Sequence, residues 1–168
     1  MSVEQSRGEI VWQGKYIVAK RDGQWEWAAR ARDIGAVVIL AVDDGHVLLV
    51  EQFRVPLGRR TIELPAGLVG DETTGESIQA AAIKELREET GWIAEGIEHL
   101  GCYASSPGMV SETFELVRAT GLRDSGEPPE EGITLHRVAQ SEISEFTDNK
   151  RTAGLVMDVK LLALLGLV

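Results

Sequence analysis

Cysteine is almost missing from this chain. Cys102 stands alone, so no intrachain disulfide and no thiolate cage for zinc can form, which suits a reducing compartment. Histidine is as sparse. His46, His99 and His136 are scattered without ligand spacing, read as surface or packing residues, and disfavour zinc or copper. Basic residues are outnumbered 17 to 27 by acidic ones, a formal charge of −10. Nucleic acids and anionic membranes attract surplus Lys and Arg, so neither is an expected partner, while an acidic site can still bind phosphates through metal ions. No apolar run approaches the ~18 residues of a membrane span, and the first ten residues lack a cationic start followed by an apolar stretch. The expected location is the cytoplasm.

What is present suffices for one core: 168 residues, 43% of them hydrophobic. Internal repeats, low-complexity tracts and interdomain linkers are not evident. Short apolar runs in residues 9–33 meet at Asp22-Gly23, a hairpin signal that predicts a small antiparallel sheet. Trp12, Trp25 and Trp27 crowd this segment and suit core or dimer-interface packing, with base stacking as the alternative. Gly35 to Val42 is a continuous β-prone run, and Asp43-Asp44-Gly45 turns it into His46–Arg54. Thr61–Leu64 reads as a short strand, Thr113–Ala119 and Ile133–Val138 as alternating strands. Leu155, Val156, Val159, Leu162 and Ala163 fall at helical spacing and predict a covering helix over residues 152–165. Gly121–Gly132, with Pro128, Pro129, Glu130 and Glu131, has no periodicity and predicts a mobile acidic loop.

The densest chemistry lies between Gly70 and Trp92. At about 100° per residue, Glu85, Glu88 and Glu89 fall at i, i+3 and i+4, so three carboxylates crowd one arc of a helix. Ile78, Ala82, Ile83 and Leu86 supply an apolar stripe beside them. Thr73 to Glu76 has the spacing of a capping box, and Gly91 can end the helix in a left-handed conformation. Crowded carboxylates repel, and as hard oxygen donors they suit Mg²⁺ or Mn²⁺.

As a pattern, Gly70, five residues, Glu76, seven residues, then Lys84-Glu85-Leu86-Arg87-Glu88-Glu89-Thr90-Gly91-Trp92 closely resembles the Nudix box. Every fixed acid and glycine is present. Lys84 stands where the family has arginine, which keeps the charge without the bidentate fork, and Trp92 replaces an aliphatic residue. Glu51–Arg54, Glu63-Leu64-Pro65-Ala66-Gly67, Ser106-Pro107-Gly108 with Glu112, and Gly154–Lys160 resemble the ADP-ribose/ADP-sugar pyrophosphatase branch, in which a proline follows the box at about the distance of Pro107.

The resemblance implies a fold: an α/β/α sandwich with a mixed central sheet over residues 34–168, and a small N-terminal antiparallel sheet in residues 1–33 acting as a dimerisation arm of a homodimer. It also implies a reaction, the Mg²⁺-dependent hydrolysis of ADP-ribose or a related nucleoside diphosphate sugar to a nucleoside monophosphate and a sugar phosphate. Glu85, Glu89 and the Ala66 carbonyl would ligate metal, with Glu88 as the third acid of the cluster. Glu131, beside Glu130, or else Glu112, would be the base. Arg54 would face the phosphates, Ser106, Pro107, Gly108 and Leu68 the ribose side, and Trp27 the base. Alternatives are GDP-mannose, NADH or FAD as substrate, or a non-catalytic nucleotide sensor.

Overall fold

Asp44 and Gly45 decide where the chain doubles back. Both take positive φ, 44° and 70°, the pair of left-handed residues that a two-residue hairpin turn requires. In a computed structural model describing residues 8–32, 34–71 and 75–161, the turn joins β4 (Gly35–Asp43) to β5 (His46–Arg54). Before it, β1 (Glu9–Gln13), β2 (Ile17–Asp22) and β3 (Trp25–Arg30) form the expected antiparallel sheet. After it come β6 (Arg59–Glu63), β7 (Ala66–Val69), α1 (Ile78–Thr90), β8 (Trp92–Ile93), β9 (Gly96–Ala104), β10 (Thr113–Thr120), β11 (Arg123–Asp124), β12 (Thr134–Ala139), α2 (Ile143–Thr152) and β13 (Val156–Met157).

The β4–β5 hairpin does not stay closed. Its strands pair only at Val42–Val47 and Asp43–His46, next to the turn. Beyond that β4 takes β7 on one side and β10, in parallel, on the other, while β5 takes β6 and β12. The sheet therefore opens at the end where Ala36–Val38 of β4 and Arg54 of β5 lie, and a cavity sits there.

Side-chain alternation on β4 sorts two cores. Val37, Ile39 and Ala41 pack with Ala81, Ala82 and Leu86 of α1. Val38 and Leu40 point the other way, toward Ile62, Leu64, Leu116, Ile143 of α2 and Leu161. A strand buried on both faces must be apolar throughout, which is why Gly35–Val42 reads as an unbroken hydrophobic run. The outcome is an α/β/α sandwich with a mixed sheet. No helix among the described residues is long and apolar enough to cross a membrane.

Three expectations are corrected. The covering helix is α2, over Ile143–Thr152, and not 152–165: Gly154 takes φ 91°, and Val156 and Met157 then pair in parallel with Thr61 and Ile62. Apolar residues at helical spacing can equally serve a short edge strand and a 3₁₀ turn, here Val159–Leu161; residues 162–165 lie outside the described ones. The helix cap is Ser77, whose Oγ accepts the Ala80 N–H at 3.2 Å. Thr73 and Thr74 lie outside the described residues, and the Glu76 carboxylate accepts the Gly70 N–H at 3.1 Å, joining two fixed positions of the box. The acidic loop, finally, is bound down: Ser125 N–H reaches Gly91 O and Glu130 N–H reaches Glu88 O.

Candidate active site

The site grows from the contact between α1 and β7. Viewed down a helix at about 100° per residue, Glu85 and Glu89 fall on the same side as Ile78 and Ala82, the face turned to the sheet, whereas Glu88 lies well off it. Glu89 is accordingly 7% exposed, Glu85 is half-buried and Glu88 is exposed. Glu89 Oε2 accepts the Ala66 N–H at 2.9 Å. Glu85 lies against Gly67, where an added Cβ would stand 2.0 Å from the carboxyl carbon, so only glycine allows this approach.

Burial is the largest influence on both carboxyls and pushes each to about 7. At Glu85 the Lys84 ammonium opposes it, and Glu88, Asp71 and Glu130 add to it; at Glu89 the Ala66 N–H opposes it and Glu85 adds. At neutral pH this pair is poised to exchange protons for a cation. Among the described residues no three His, Cys, Asp or Glu side chains form a ready-made cage. Mg²⁺ keeps several waters and takes one or two carboxylates plus substrate phosphates. The donors present, Glu85, Glu89 and the Ala66 carbonyl, are hard oxygens of the right kind.

Beside them opens the cavity, about 670 Å³, lined among others by Arg54, Ala66, Leu68, Glu112, Asp158 and Lys160. Arg54 grips Glu63 through two bonds, Nε to Oε1 at 2.7 Å and Nη2 to Oε2 at 2.6 Å. The Glu63 side chain is 3% exposed. Burial would raise its pKa, but the bonds from Arg54 and Thr61 outweigh burial and hold it below the ordinary value. Arg30 pairs with Glu112 at 2.5 Å and Lys160 with Asp158 at 2.5 Å. Three cations thus face one cavity, each held by an acid.

The sequence-predicted residues divide among several places. Arg54, Ala66, Leu68 and Glu112 line the main cavity, with Glu85 and Glu89 against its Ala66-Gly67 wall. Trp27, Pro107 and Gly108 line a smaller pocket of about 290 Å³ with Trp25, and Trp27 Nε1 is buried without a hydrogen-bond partner among the described residues. Ser106 serves the turn, its carbonyl accepting Met109 and Val110 N–H. Glu88, Glu130 and Lys84 line a third hollow on the outer side of α1; Glu131 is exposed and lines none of these three. Sequence reasoning gave no site role to Arg30, Glu63, Asp158 or Lys160. Glu63, Asp158 and Lys160 stood in quoted motifs, but Arg30 meets Glu112 across 82 residues, and no local pattern announces such a pair.

Comparison with known proteins agrees with this geometry. The profile of the NUDIX domain family matches residues 31–154. The methanol dehydrogenase activator of Bacillus methanolicus is 33% identical over 135 residues, 77% of this chain and 71% of that one. An ADP-ribose pyrophosphatase of Mycobacterium tuberculosis is 43% identical over 95 residues, 56% of this chain but only 45% of that protein's length. Among solved structures, one described as an ADP compounds hydrolase superposes with a TM-score of 0.67 at 22% identity, covering 94% of this chain and 88% of that one, a likeness of fold. With the family profile spanning most of its length and the acids of its box set against a cavity, the chain belongs to the Nudix hydrolases.

Proposed function

We propose that the protein is a divalent-metal-dependent pyrophosphatase that hydrolyses ADP-ribose or a closely related nucleoside diphosphate sugar. The observation that carries this reading is the placement of Glu85 and Glu89, both pushed to about 7, at the wall of a cavity that Arg54 faces. Relatives named ADP-ribose pyrophosphatase support the substrate class. Magnesium, or manganese, bound there would neutralise the diphosphate and lower the pKa of the attacking water. Glu85, Glu89 and the Ala66 carbonyl would hold it, with Glu88 adding charge from outside. Arg54, kept in orientation by Glu63, faces the diphosphate with its remaining N–H groups. Leu68 and the Ser106-Pro107-Gly108 turn bound the ribose side, and Trp27 receives the base. The proton of the attacking water goes to Glu112 in the cavity or to the acidic loop carrying Glu130 and Glu131.

In this reading the protein is a cytoplasmic homodimer. Ile10, Trp12, Ile17 and Trp25 of the N-terminal sheet and Tyr16 just before β2 are 48–65% exposed, apolar surface that a second copy would cover. Light scattering coupled to size exclusion tests the dimer.

The function is tested with a panel of nucleoside diphosphate sugars, NADH and FAD in Mg²⁺, following monophosphate release by chromatography. Turnover of ADP-ribose above the others is expected. Saturable binding without turnover of any member would identify a sensor instead.

A stability measurement tests the metal site independently. Glu85 and Glu89 have folded-state pKa values of about 7 against about 4.3 for a free glutamate. The folded state therefore holds more protons between these limits, and stability falls as pH rises through them. Metal-free protein should lose on the order of 3 kcal/mol, roughly 5–10 °C in Tm, between pH 5 and pH 8. Added Mg²⁺ should restore Tm at pH 8 and do little at pH 5. An equal Mg²⁺ effect at both values would place the cation elsewhere.

A further inference from the structure

Lys160 reaches the cavity because the last strand pairs in parallel with β6. Val156 stands opposite Thr61 and Met157 opposite Ile62, and the Asp158 N–H continues the ladder to Ile62 O at 3.0 Å. The chain then turns. Leu161 N–H donates to Asp158 O at 3.1 Å, and Lys160 N–H to Asp158 Oδ1 at 2.7 Å. That turn sets Lys160 among the residues lining the same cavity as Arg54, Ala66 and Gly67. Its side chain is only 18% exposed, and its ammonium lies 5.9 Å from the ring centre of Phe114, another lining residue.

Taking an ammonium out of water is unfavourable unless its three N–H donors find acceptors. Among the described residues the Lys160 ammonium has one hydrogen-bond partner, Asp158 Oδ2 at 2.5 Å, so two N–H groups remain for an occupant of the cavity. The other Asp158 oxygen is bonded to the main chain, so this carboxylate keeps its place when the ammonium turns away. Arg54 is the neighbouring cation, and it uses Nε and Nη2 on Glu63. Burial opposes ionisation of Glu63, but bonds from Arg54 and Thr61, together with the charges of Arg54 and Lys160, hold its carboxyl below the ordinary value. Arg54 and Lys160 thus act on one corner of the cavity. The lining charges of the cavity cancel, Arg30, Arg54 and Lys160 against Glu63, Glu112 and Asp158. Each phosphoryl group of a diphosphate diester is an anion, and a single arginine at this corner leaves one of the two without a side-chain cation.

We propose that Lys160 is a second substrate-binding cation, whose ammonium turns from Asp158 to a non-bridging oxygen of the phosphoryl group that Arg54 does not hold. The kinetic part of the test rests on the pyrophosphatase reading; the binding part does not. Binding of inorganic pyrophosphate in Mg²⁺ is measured by calorimetry, and steady-state kinetics are followed on ADP-ribose. Lys160→Met keeps an unbranched stem and removes the charge. In this variant the Kd for pyrophosphate and the KM for ADP-ribose should each rise about tenfold, the scale of one lost charged hydrogen bond, while kcat stays nearly constant. Lys160→Arg keeps the charge on a different head group and should recover most of both losses. A wild type that binds no pyrophosphate, or a Lys160→Met protein that binds it equally well, overturns the proposal. So does a fall in kcat with KM unchanged, which would take Lys160 out of substrate binding. Equal losses in Lys160→Met and Lys160→Arg, accompanied by a lower Tm in both, would show a structural role and overturn it as well. Weakened pyrophosphate binding in Lys160→Met, in a protein that turns over no nucleoside diphosphate sugar, upholds the cation and removes the pyrophosphatase reading.

Discussion

Glu89→Gln is expected to lower turnover at least ~100-fold, about 2.7 kcal/mol of transition-state stabilisation, the scale of losing one preorganised electrostatic group. The substitution is clean for a structural reason. Glutamine keeps an oxygen that can accept the Ala66 N–H now bonded to Glu89 at 2.9 Å, so the contact between α1 and β7 survives while the negative charge goes. Stability should move the opposite way to activity. Burial raises the Glu89 carboxyl to about 7, so at pH 8 the metal-free wild type holds a costly buried charge that the amide removes. Thermal melts should find the metal-free variant at least as stable as the wild type at pH 8, with its Mg²⁺-dependent gain reduced. Near-normal turnover at saturating metal would take Glu89 out of the site, and a large fall in Tm would mean a structural role.

Arg54→Ala should reduce kcat/KM on a diphosphate substrate by about 10- to 100-fold, the range of a lost charged hydrogen bond of ~1.5–3 kcal/mol. Glu63→Gln is the more informative change. Glu63 stays in its buried place on β6 but loses the charge that grips the Arg54 fork through 2.7 and 2.6 Å bonds, so Arg54 remains cationic and becomes free to turn. If Glu63 acts by aiming Arg54, KM should rise about tenfold, ~1.4 kcal/mol, with Mg²⁺ affinity unchanged. The double variant Arg54→Ala with Glu63→Gln should then be no worse than Arg54→Ala alone, since a positioning residue has nothing left to position. Additive losses would give Glu63 its own contact with substrate.

The glutamate helix is legible in the sequence because its chemistry is local. Glu85 and Glu89 stand one turn apart on a helix that Gly91 ends, and chain spacing alone sets those distances. Asp44-Gly45 and Gly91 are legible for a similar reason: few residues tolerate positive φ, so the turn and the helix end are written into residue type. Where spacing was ambiguous, the reading failed. Residues 155–163 suit a helix by apolar period, yet Gly154 and the open edge of β6 at Thr61 and Ile62 draw Val156 and Met157 into the sheet. Gly121–Gly132 lacks periodicity and reads as mobile, but its anchors are single side chains and carbonyls on α1 that no repeat reveals.

By itself the sequence determined that there is a helix with two carboxylates one turn apart, that Gly35–Val42 is a β-prone run, and that hard divalent cations suit the acids. Only the tertiary structure decided where the substrate-sized space lies and which cations face it. That space exists because β4 and β5 part company two residue pairs from their turn. Arg30 meets Glu112, and Arg54 meets Glu63, because strand register brings them together. Register between strands is set by the packing of whole faces, and a one-residue slip would reverse every side chain; no short stretch of sequence contains that information.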